Sequence, residues 1–373
     1  MKTDKFKSSV EKLLSLAGIG IDGNNPWDLR VHNENFYRRI LTHGSLGLGE
    51  SYMDGWWDCD QVDEFFCRIL RSEIHNKVNE DWILLFKVLL SRIINMQSKR
   101  RAFQIGERHY DLGNDLYENM LDRRMVYTCA YWKDAHTLND AQEHKLELVC
   151  RKTGLTPGMK ILDIGCGWGS FAKYAAEKYK VEVTGITVSR EQVELARTLC
   201  KGEPVEIRLQ DYRDVTGKFD CIISLGMFEH VGYKNYRTYM EVVNRCLKDD
   251  GLFLLQTIGG NESEVSTEPW LDKYIFPNSI IPSIKQIGGA IEGLFVMEDW
   301  HNFSVDYDKT LMAWYGNFDM NWNKIKSKYD ERFYRMWKHY LLSCAGSFRA
   351  RKNQVWQIVF SKKGVPAGYR SIR

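Results

Sequence analysis

One short segment limits more than any other what this chain can fold into. Residues 161–169 read Ile-Leu-Asp-Ile-Gly-Cys-Gly-Trp-Gly, an apolar strand that ends near Asp163 and continues into a loop of alternating glycines. Because they lack Cβ atoms, Gly165, Gly167 and Gly169 permit a tight strand-to-helix turn and let a ligand lie against the backbone. The G-x-G-x-G spacing differs from the G-x-G-x-x-G of dinucleotide binders. It favours S-adenosylmethionine over NAD, with a tight turn that binds no ligand as the alternative.

The pattern around this loop predicts a parallel sheet. Apolar strands are expected at 160–164, 181–186, 205–209, 219–224 and 252–258, with helices between them. Ser189-x-x-Gln192 predicts a capping box, and 233–247 predicts another helix. A later strand pair near 295–299 and 355–360 flanks a long predicted helix, 322–347, and is expected to close the sheet. The predicted fold class is α/β, a Rossmann-like domain with a mostly parallel sheet, together with a small helical N-terminal domain.

The domain prediction divides the chain where the pattern of apolar residues changes from helices alone to alternating strands and helices. Residues 1–92 lack a strand-helix rhythm and predict a helical domain, 93–103 predict a linker, and 104–373 predict the catalytic domain. Within 82–96, apolar side chains recur at helical spacing beside a polar stripe. Core or partner packing and contact with a membrane surface both explain this pattern.

Composition excludes several classes of protein. A net charge of +3 over 373 residues is too mild for a dedicated nucleic-acid binder. Nine scattered cysteines without a C-x-x-C pair indicate reduced thiols and no metal site. The N-terminus shows no secretory signal, and 82–96 is interrupted by Lys87 and Arg92, so we expect a cytoplasmic protein without a membrane span. Basic clusters such as 99–101 and 349–352 suit phosphate headgroups or simply solvated faces.

Polar side chains that follow the strands are the candidates for ligand contact, because open α/β sheets bind ligands at the carboxyl ends of their strands. Thr187 and Gln192 follow the second strand and are expected to bond the ribose or the amino-acid end of the cofactor. Thr187 stands where most methyltransferases of this architecture have an acid. Asp211 and Tyr212 follow the third strand, where a carboxylate and a ring suit adenine.

Several longer motifs carry a resemblance to a known family. They are Gly-Ser-Leu-Gly-Leu-Gly-Glu-Ser-Tyr-Met-Asp-Gly-Trp-Trp at 44–57, Tyr-Thr-Cys-Ala-Tyr-Trp at 127–132, Gly-Met-Phe-Glu-His-Val-Gly at 226–232, Tyr-Ile-Phe-Pro at 274–277, Glu-Asp-Trp-His-Asn at 298–302 and Leu-Met-Ala-Trp-Tyr at 311–315. Together with the glycine loop they resemble the cyclopropane-fatty-acid-phospholipid synthases of the bacterial two-domain type. The resemblance covers nearly the whole chain. It implies a class I methyltransferase domain for the Rossmann-like part, and lipid or dimer contacts for the N-terminal domain.

The resemblance implies methylene transfer from S-adenosylmethionine to the cis double bond of an unsaturated phospholipid acyl chain. It implies a bound bicarbonate as the base that removes a proton from the transferred methyl group. The implied cofactor residues are Tyr127, Thr128, Asp163, Gly165, Cys166, Gly167, Trp168, Gly169, Thr187, Gln192, Asp211 and Tyr212. The implied catalytic residues are Cys129, Glu229, Gln256, Ile258 through its backbone amide, Tyr315 and Cys344.

Two of these positions need separate comment. Gln256 stands where the family usually has histidine, and its amide donates a hydrogen bond but takes no proton. Cys344 matches a cysteine often assigned as active, yet a thiolate facing a carbocation would be alkylated, so a structural or substrate-lining role is the alternative.

The same resemblance implies a homodimer that acts peripherally at the inner face of the membrane, with phospholipid as substrate and no nucleic-acid partner. Three other functions stay open from the sequence. They are a methyl-branching fatty-acid methyltransferase, an N- or O-methyltransferase for small molecules, and a cofactor-binding regulatory protein without catalysis.

Overall fold

The computed structural model describes residues 2–72 and 113–373. The helices are α1 (Lys2–Ser15), α2 (Asn35–Met53), α3 (Val62–Arg71), α4 (Asn114–Met120), α5 (Leu138–Lys152), α6 (Ser170–Tyr179), α7 (Arg190–Leu199), α8 (Tyr236–Cys246), α9 (Pro269–Tyr274), α10 (Ile284–Ile291), α11 (Val305–Ile325) and α12 (Glu331–Arg349). The strands are β1 (Arg30–Val31), β2 (Trp57–Asp58), β3 (Lys160–Ile164), β4 (Glu182–Thr187), β5 (Val205–Leu209), β6 (Phe219–Leu225), β7 (Leu247–Gly260), β8 (Val296–Asn302) and β9 (Asn353–Ser361).

Seven of these strands form one sheet in the order β5-β4-β3-β6-β7-β9-β8. The pairs β3·β4, β4·β5, β3·β6 and β6·β7 are parallel, whereas β8 and β9 pair antiparallel. The order reverses at β3, so the loops after β3 and β6 leave the same edge on either side of this switch. Asp163 on β3 pairs with Gly185 on one side and Ile223 on the other.

The sheet is buried on both faces, which explains its nearly continuous apolar strands. Adjacent residues of β3 point to opposite sides, since Ile161 packs with Val149 and Phe171 in one core while Leu162 packs with Tyr239 and Val243 in the other. Helices α5 and α6 cover the first face, and α8 covers the second. This packing on both faces holds β3 in place, and with it the glycine loop that follows β3 at the edge of the sheet.

The predicted parallel fold is confirmed, with differences in detail. Strands 160–164 and 205–209 have the predicted bounds, and the late strand pair closes the sheet. The single long helix predicted over 322–347 is wrong, because α11 ends at Ile325 and Asp330 caps a new helix by accepting a hydrogen bond from the Phe333 amide at 2.7 Å. Ser189 caps α7 as predicted, but Gln192 bonds Thr187 instead of completing a capping box.

The described residues form two compact units that do not follow the predicted domain boundaries. One contains the residues up to 72 with 267–277 and 307–353, and the other contains 113–266, 278–306 and 354–373. Helix α12 therefore belongs with the N-terminal helices, in contrast to a catalytic domain running unbroken from 104 to 373. The predicted linker, 93–103, and the amphipathic segment, 82–96, lie outside the described residues.

A close approach of two helices explains why α12 belongs with the N-terminal residues. Gly346 lies so near α3 that a Cβ atom would touch the Asp63 carbonyl oxygen and come within 2.9 Å of the Phe66 Cβ. Arg349 then pairs with Asp63 at 2.6 Å. The core of this unit adds Phe36, Trp57 and Leu342 among other apolar side chains.

Among the described helices, none combines the length and apolarity that crossing a bilayer requires.

Replacement of Gly346 tests this close approach. We expect Gly346→Ala to lower the free energy of unfolding by about 1–3 kcal/mol, because the added methyl group has no room beside α3. Gly316→Ala on α11 is the matched control, since no atom lies within 4 Å of its Cβ position. That control should be neutral or stabilising by up to about 1 kcal/mol. Urea unfolding of both variants measures the difference, and equal stabilities would contradict the packing argument.

Candidate active site

The glycine loop combines two structural tasks. Gly165, Gly167 and Gly169 have φ values of 81°, 55° and 82°, which side-chain-bearing residues rarely adopt. A Cβ atom on Gly165 would lie 2.7 Å from the Met227 Cβ, and one on Gly169 would lie 2.7 Å from the Cys200 Sγ. Nothing lies within 4 Å of the same position on Gly167. The outer two glycines therefore allow close packing, and the middle one leaves room for a ligand.

One cavity lies at the carboxyl edge of the sheet above this loop. Its wall contains every predicted cofactor residue except Gly169, which packs against the Cys200 side chain instead. The lining includes Tyr127, Thr128, Asp163, Gly165, Cys166, Gly167, Trp168, Thr187, Gln192, Asp211 and Tyr212. Lys145, Arg213 and His230 also line it, and the sequence did not single out the first two.

Two opposite charges are buried in the cavity wall. Asp163 and Lys145 are both withdrawn from solvent. Burial raises the pKa of Asp163 to about 7, although Lys145 partly counteracts this rise. Burial likewise lowers the pKa of Lys145 to about 8. Asp163 Oδ2 has no hydrogen-bond partner within the described ranges, so the carboxylate has an oxygen to offer a ligand.

Side chains after β4 and β5 are already positioned by hydrogen bonds within the protein. The Thr187 hydroxyl donates to Gln192 Oε1 at 2.7 Å, so this pair presents the amide N–H groups of Gln192 as donors. Asp211 accepts from the Arg213 Nε at 2.7 Å and from its Nη2 at 2.8 Å. The Asp211 carboxylate is thus held by a cation, and Tyr212 follows it with its ring against Tyr239.

An irregular stretch of backbone, 126–132, contributes its first three residues to the cavity wall. Helix α5 holds it through two fully buried side chains: Gln142 donates from Nε2 to the Thr128 carbonyl at 2.9 Å, and Lys145 donates from Nζ to the Thr128 hydroxyl at 2.6 Å. The Tyr131 amide donates to the Ala141 carbonyl at 3.0 Å. These bonds replace the ladder that a strand would provide, so the segment is fixed without regular structure.

Glu229 lies directly after β6, next to the cavity, in a short 3-10 turn. Its Oε1 accepts a hydrogen bond from the Ile258 amide at 2.7 Å. Its Oε2 is buried and has no partner in the described part of the chain. Burial raises the pKa of Glu229 to about 7, while the Ile258 hydrogen bond opposes the rise. Burial also lowers the pKa of the adjacent His230 to about 4, so this imidazole is neutral at neutral pH.

Gln256 joins the Cys129 segment to the sheet. Its Nε2 donates to the Cys129 carbonyl at 3.4 Å, and its Oε1 accepts from the Gln357 Nε2 at 2.9 Å. The Cys129 thiol donates to the Ala130 carbonyl at 3.2 Å. Gln256 and Ile258 are two residues apart on β7, so the end of this strand contacts both Cys129 and Glu229.

Tyr315 and Cys344 lie in the other compact unit, so their part in this site stays a prediction. Tyr315 packs against that unit's core, with the Lys338 ammonium 5.5 Å from its ring centre. Burial raises the pKa of the Cys344 thiol to about 12, and Glu268 contributes to this rise. A thiol that stays protonated favours the structural interpretation of Cys344 over a nucleophilic one.

The sequence reasoning missed Gln142, Lys145 and Gln357. A signal existed for the first two, because residues three apart share a helix face and Gln142-x-x-Lys145 is a polar pair on an otherwise apolar side of α5. Gln357 gave a weaker signal as a polar residue inside the apolar strand 355–360.

Comparison with known proteins now decides the family. Residues 97–358 match the model of the family described as mycolic acid cyclopropane synthetase. The chain belongs to this family.

Individual relatives agree with this assignment. The chain is 53% identical over 370 residues to the cyclopropane-fatty-acyl-phospholipid synthase of Escherichia coli K12, a match that covers 99% of this chain and 97% of the relative. It is 32% identical to the tuberculostearic acid methyltransferase UfaA1 of Mycobacterium tuberculosis, over 88% of this chain and 82% of that protein. The family resemblance seen in the sequence is thereby confirmed.

Solved structures show the same fold. The mycolic acid cyclopropane synthase CmaA1, complexed with SAH and CTAB, superposes with a TM-score of 0.66 at 31% identity, covering 70% of this chain and 98% of that chain. Coclaurine N-methyltransferase superposes with a TM-score of 0.70 at 20% identity over 84% of this chain and 99% of that chain, which supports the fold alone. The predicted class I methyltransferase fold is confirmed.

The buried carboxyl of Glu229 makes stability depend on pH. With a pKa raised to about 7 in the folded state, from 4.5, the native protein holds a proton that the unfolded chain releases between these values. Stability from this group is therefore lost as pH rises through that window. We expect Glu229→Gln to stabilise the protein by about 1–3 kcal/mol at pH 8 and to change little at pH 4. Urea unfolding at both pH values measures this, and an equal effect at both would contradict it.

Proposed function

We propose that this protein transfers a methylene group from S-adenosylmethionine to the cis double bond of an unsaturated phospholipid acyl chain and so forms a cyclopropane fatty acid. The observation that carries the proposal is the Glu229 carboxyl, buried beside the cofactor cavity with one oxygen unsatisfied and the other on the Ile258 amide. The E. coli relative, matched over nearly its full length, bears the name of this activity.

The cavity fits S-adenosylmethionine in its chemistry. Asp163 offers an unsatisfied carboxylate oxygen, Gly167 leaves the loop open, and Gln192 offers amide donors. When bound, S-adenosylmethionine supplies an electrophilic methyl group on a positively charged sulfur. An alkene has no lone pair and no acidic proton, so its π electrons attack that methyl group and leave a carbocation. The protein must stabilise this cation without offering a nucleophile, and must then allow loss of a proton so that the ring closes.

Aromatic rings near the cavity suit the first task. Tyr117 packs edge-on against Tyr127 with ring centres 5.2 Å apart, and against Trp168 at 4.9 Å. Both Tyr127 and Trp168 line the cavity. The negative face of a ring stabilises a nearby cation by about 0.5–2 kcal/mol and forms no bond with it. The Cys129 thiol holds its proton toward the Ala130 carbonyl, which disfavours alkylation at sulfur.

The second task fits an anion held near Glu229. Bicarbonate would supply a small exchangeable base for the proton of the transferred methyl group. Glu229 Oε2 suits its O–H group as an acceptor, and the Ile258 amide and the Gln256 amide suit its oxygens as donors. In the structure these two donors bond Glu229 and the Cys129 carbonyl respectively. Tyr315 is the remaining member that the resemblance implies.

The setting of the reaction is also part of the proposal. The resemblance supports a homodimer that works peripherally at the inner face of the membrane, with a cytoplasmic catalytic unit. It supports lipid or dimer contacts for the N-terminal residues. Since the acyl chain belongs to a membrane lipid, we place the reaction at the bilayer surface.

A methyl-branched product is the second candidate, since a tuberculostearic acid methyltransferase is among the relatives. The same carbocation leads to it if proton loss gives an alkene and an external reductant then supplies a hydride, with a proton from solvent. The methyl-branched chain carries two more hydrogen atoms than the cyclopropane chain, so gas chromatography of the released acyl esters separates the two products.

Purified protein incubated with S-adenosylmethionine and vesicles of unsaturated phospholipid tests the proposal. We expect acyl chains that gain the mass of one methylene group and no longer carry the double bond. Saturated phospholipid is the control substrate and should stay unchanged. Methylation of a soluble amine or hydroxyl acceptor without any change in the vesicles would overturn the assignment in favour of a small-molecule methyltransferase.

Removal of bicarbonate tests the proposed base. In carbonate-depleted buffer we expect turnover to fall by about a hundredfold or more, the usual contribution of a positioned general base, and to recover when bicarbonate is added. Equilibrium binding of S-adenosylmethionine should not change. Glu229→Gln should lose most of this bicarbonate response because its amide cannot accept the O–H group at Nε2. A full response in that variant would remove Glu229 from the anion site.

A further inference from the structure

The cofactor cavity holds a buried cation that the proposed chemistry does not use. Lys145 lies on α5 with no solvent exposure and is one of the residues around the cavity. Within the described residues its hydrogen-bond partner is the Thr128 hydroxyl, at 2.6 Å. An ammonium has three N–H donors, so one bond leaves it under-satisfied for a buried charge.

The charged groups around Lys145 do not satisfy one another's hydrogen bonds. The carboxyl groups of Asp163 and Asp122 interact with it, and both favour its charged form; the Cys129 thiol also lies near, with its proton toward the Ala130 carbonyl. Asp163 itself has one oxygen without a partner among the residues described. A cation and an anion, both buried and both short of hydrogen bonds, therefore lie in the same wall. Buried charges of this kind need a partner.

An α-amino acid group complements this arrangement in both signs. Its carboxylate accepts from an ammonium, and its own ammonium donates to a carboxylate. S-adenosylmethionine ends in such a group, whereas its adenosine part carries neither charge. The irregular segment 126–132 brings Thr128 to the same place, where its hydroxyl is already fixed by Lys145.

We propose that Lys145 binds the carboxylate of the cofactor's methionyl group while Asp163 accepts from its ammonium. This inference rests on the proposed use of S-adenosylmethionine and adds a binding residue to that site. It also explains why a cationic side chain lies in a cavity for a cofactor that carries a positive sulfur. The Lys145 ammonium pairs with the carboxylate, which is the one negatively charged group of the ligand.

A purely structural role predicts a different result. If Lys145 only orients Thr128 and keeps Asp163 ionised, its removal weakens every ligand that uses these residues, with or without a carboxylate. A ligand that differs only in the carboxylate separates the two roles. Decarboxylated S-adenosylmethionine is that ligand, because it keeps the sulfonium, the adenosine and the amine.

Calorimetric titration of the full chain without lipid measures both ligands directly. We expect the wild-type protein to bind S-adenosylmethionine more tightly than the decarboxylated form by about tenfold or more, as for one charge-assisted hydrogen bond. Lys145→Met should reduce affinity for S-adenosylmethionine by about tenfold to a hundredfold and change affinity for the decarboxylated ligand by less than about twofold. Equal losses for the two ligands would overturn the proposal.

Lys152→Met is the matched control. Lys152 is a second buried lysine on α5, but it bonds the His301 Nδ1 at 3.0 Å, lies 3.6 Å from Asp299, and is not part of the cavity wall. Its replacement should lower stability and leave the ratio of the two affinities unchanged.

The wild-type measurement also distinguishes a wrong carboxylate contact from a wrong cofactor. If Lys145→Met does not fold, equal wild-type affinity for the two ligands still overturns the carboxylate contact. If the wild-type protein binds neither ligand, the proposed cofactor is wrong instead.

Discussion

The site depends on the buried hydrogen bonds that hold residues 126–132 in place. This backbone is neither strand nor helix, yet it passes through the interior, where unsatisfied carbonyl groups cost about 1–3 kcal/mol each. Gln142 and Gln256 donate to its carbonyl groups, and Lys145 donates to the Thr128 hydroxyl. A Cβ atom on Gly226 would lie 2.7 Å from the Thr128 Cγ2, so the loop after β6 closes over the same segment. The irregular backbone thus brings Thr128 to the cofactor cavity and Cys129 toward β7 at once.

Burial sets the charge state of the groups around this segment. The pKa values of Asp163 and Glu229 rise and those of Lys145 and His230 fall, each because the interior disfavours the charged form. Such shifts reduce stability in the free protein. They are consistent with a site whose charges are completed by ligands, since a bound zwitterion or anion restores the hydrogen bonds that the protein alone does not make.

The fold was predictable from sequence to the extent that local patterns determine it. Strand 160–164 and its glycine loop follow from apolar runs and from the φ values that only glycine adopts easily. The break at Asp330 was missed because the aromatic residues on both sides continue a helical pattern across it. The membership of α12 in the N-terminal unit depends on Gly346, whose contact with α3 joins residues far apart in the chain, and no periodicity reports such a contact. Likewise Gln357 acquires its role only through its neighbour on β7.

The orientation of Gln256 shows how the structure limits the chemistry at the position where the family usually has histidine. The Cys129 carbonyl can only accept a hydrogen bond, so Gln256 must direct its Nε2 toward it and its Oε1 the other way. Gln357 must then donate, which leaves its own Oε1 buried without a partner in the described residues. Neither amide takes or releases a proton near neutral pH. A proton leaving the transferred methyl group therefore has no path through this pair of amides, and in the proposed chemistry the exchangeable anion beside Glu229 takes that proton instead.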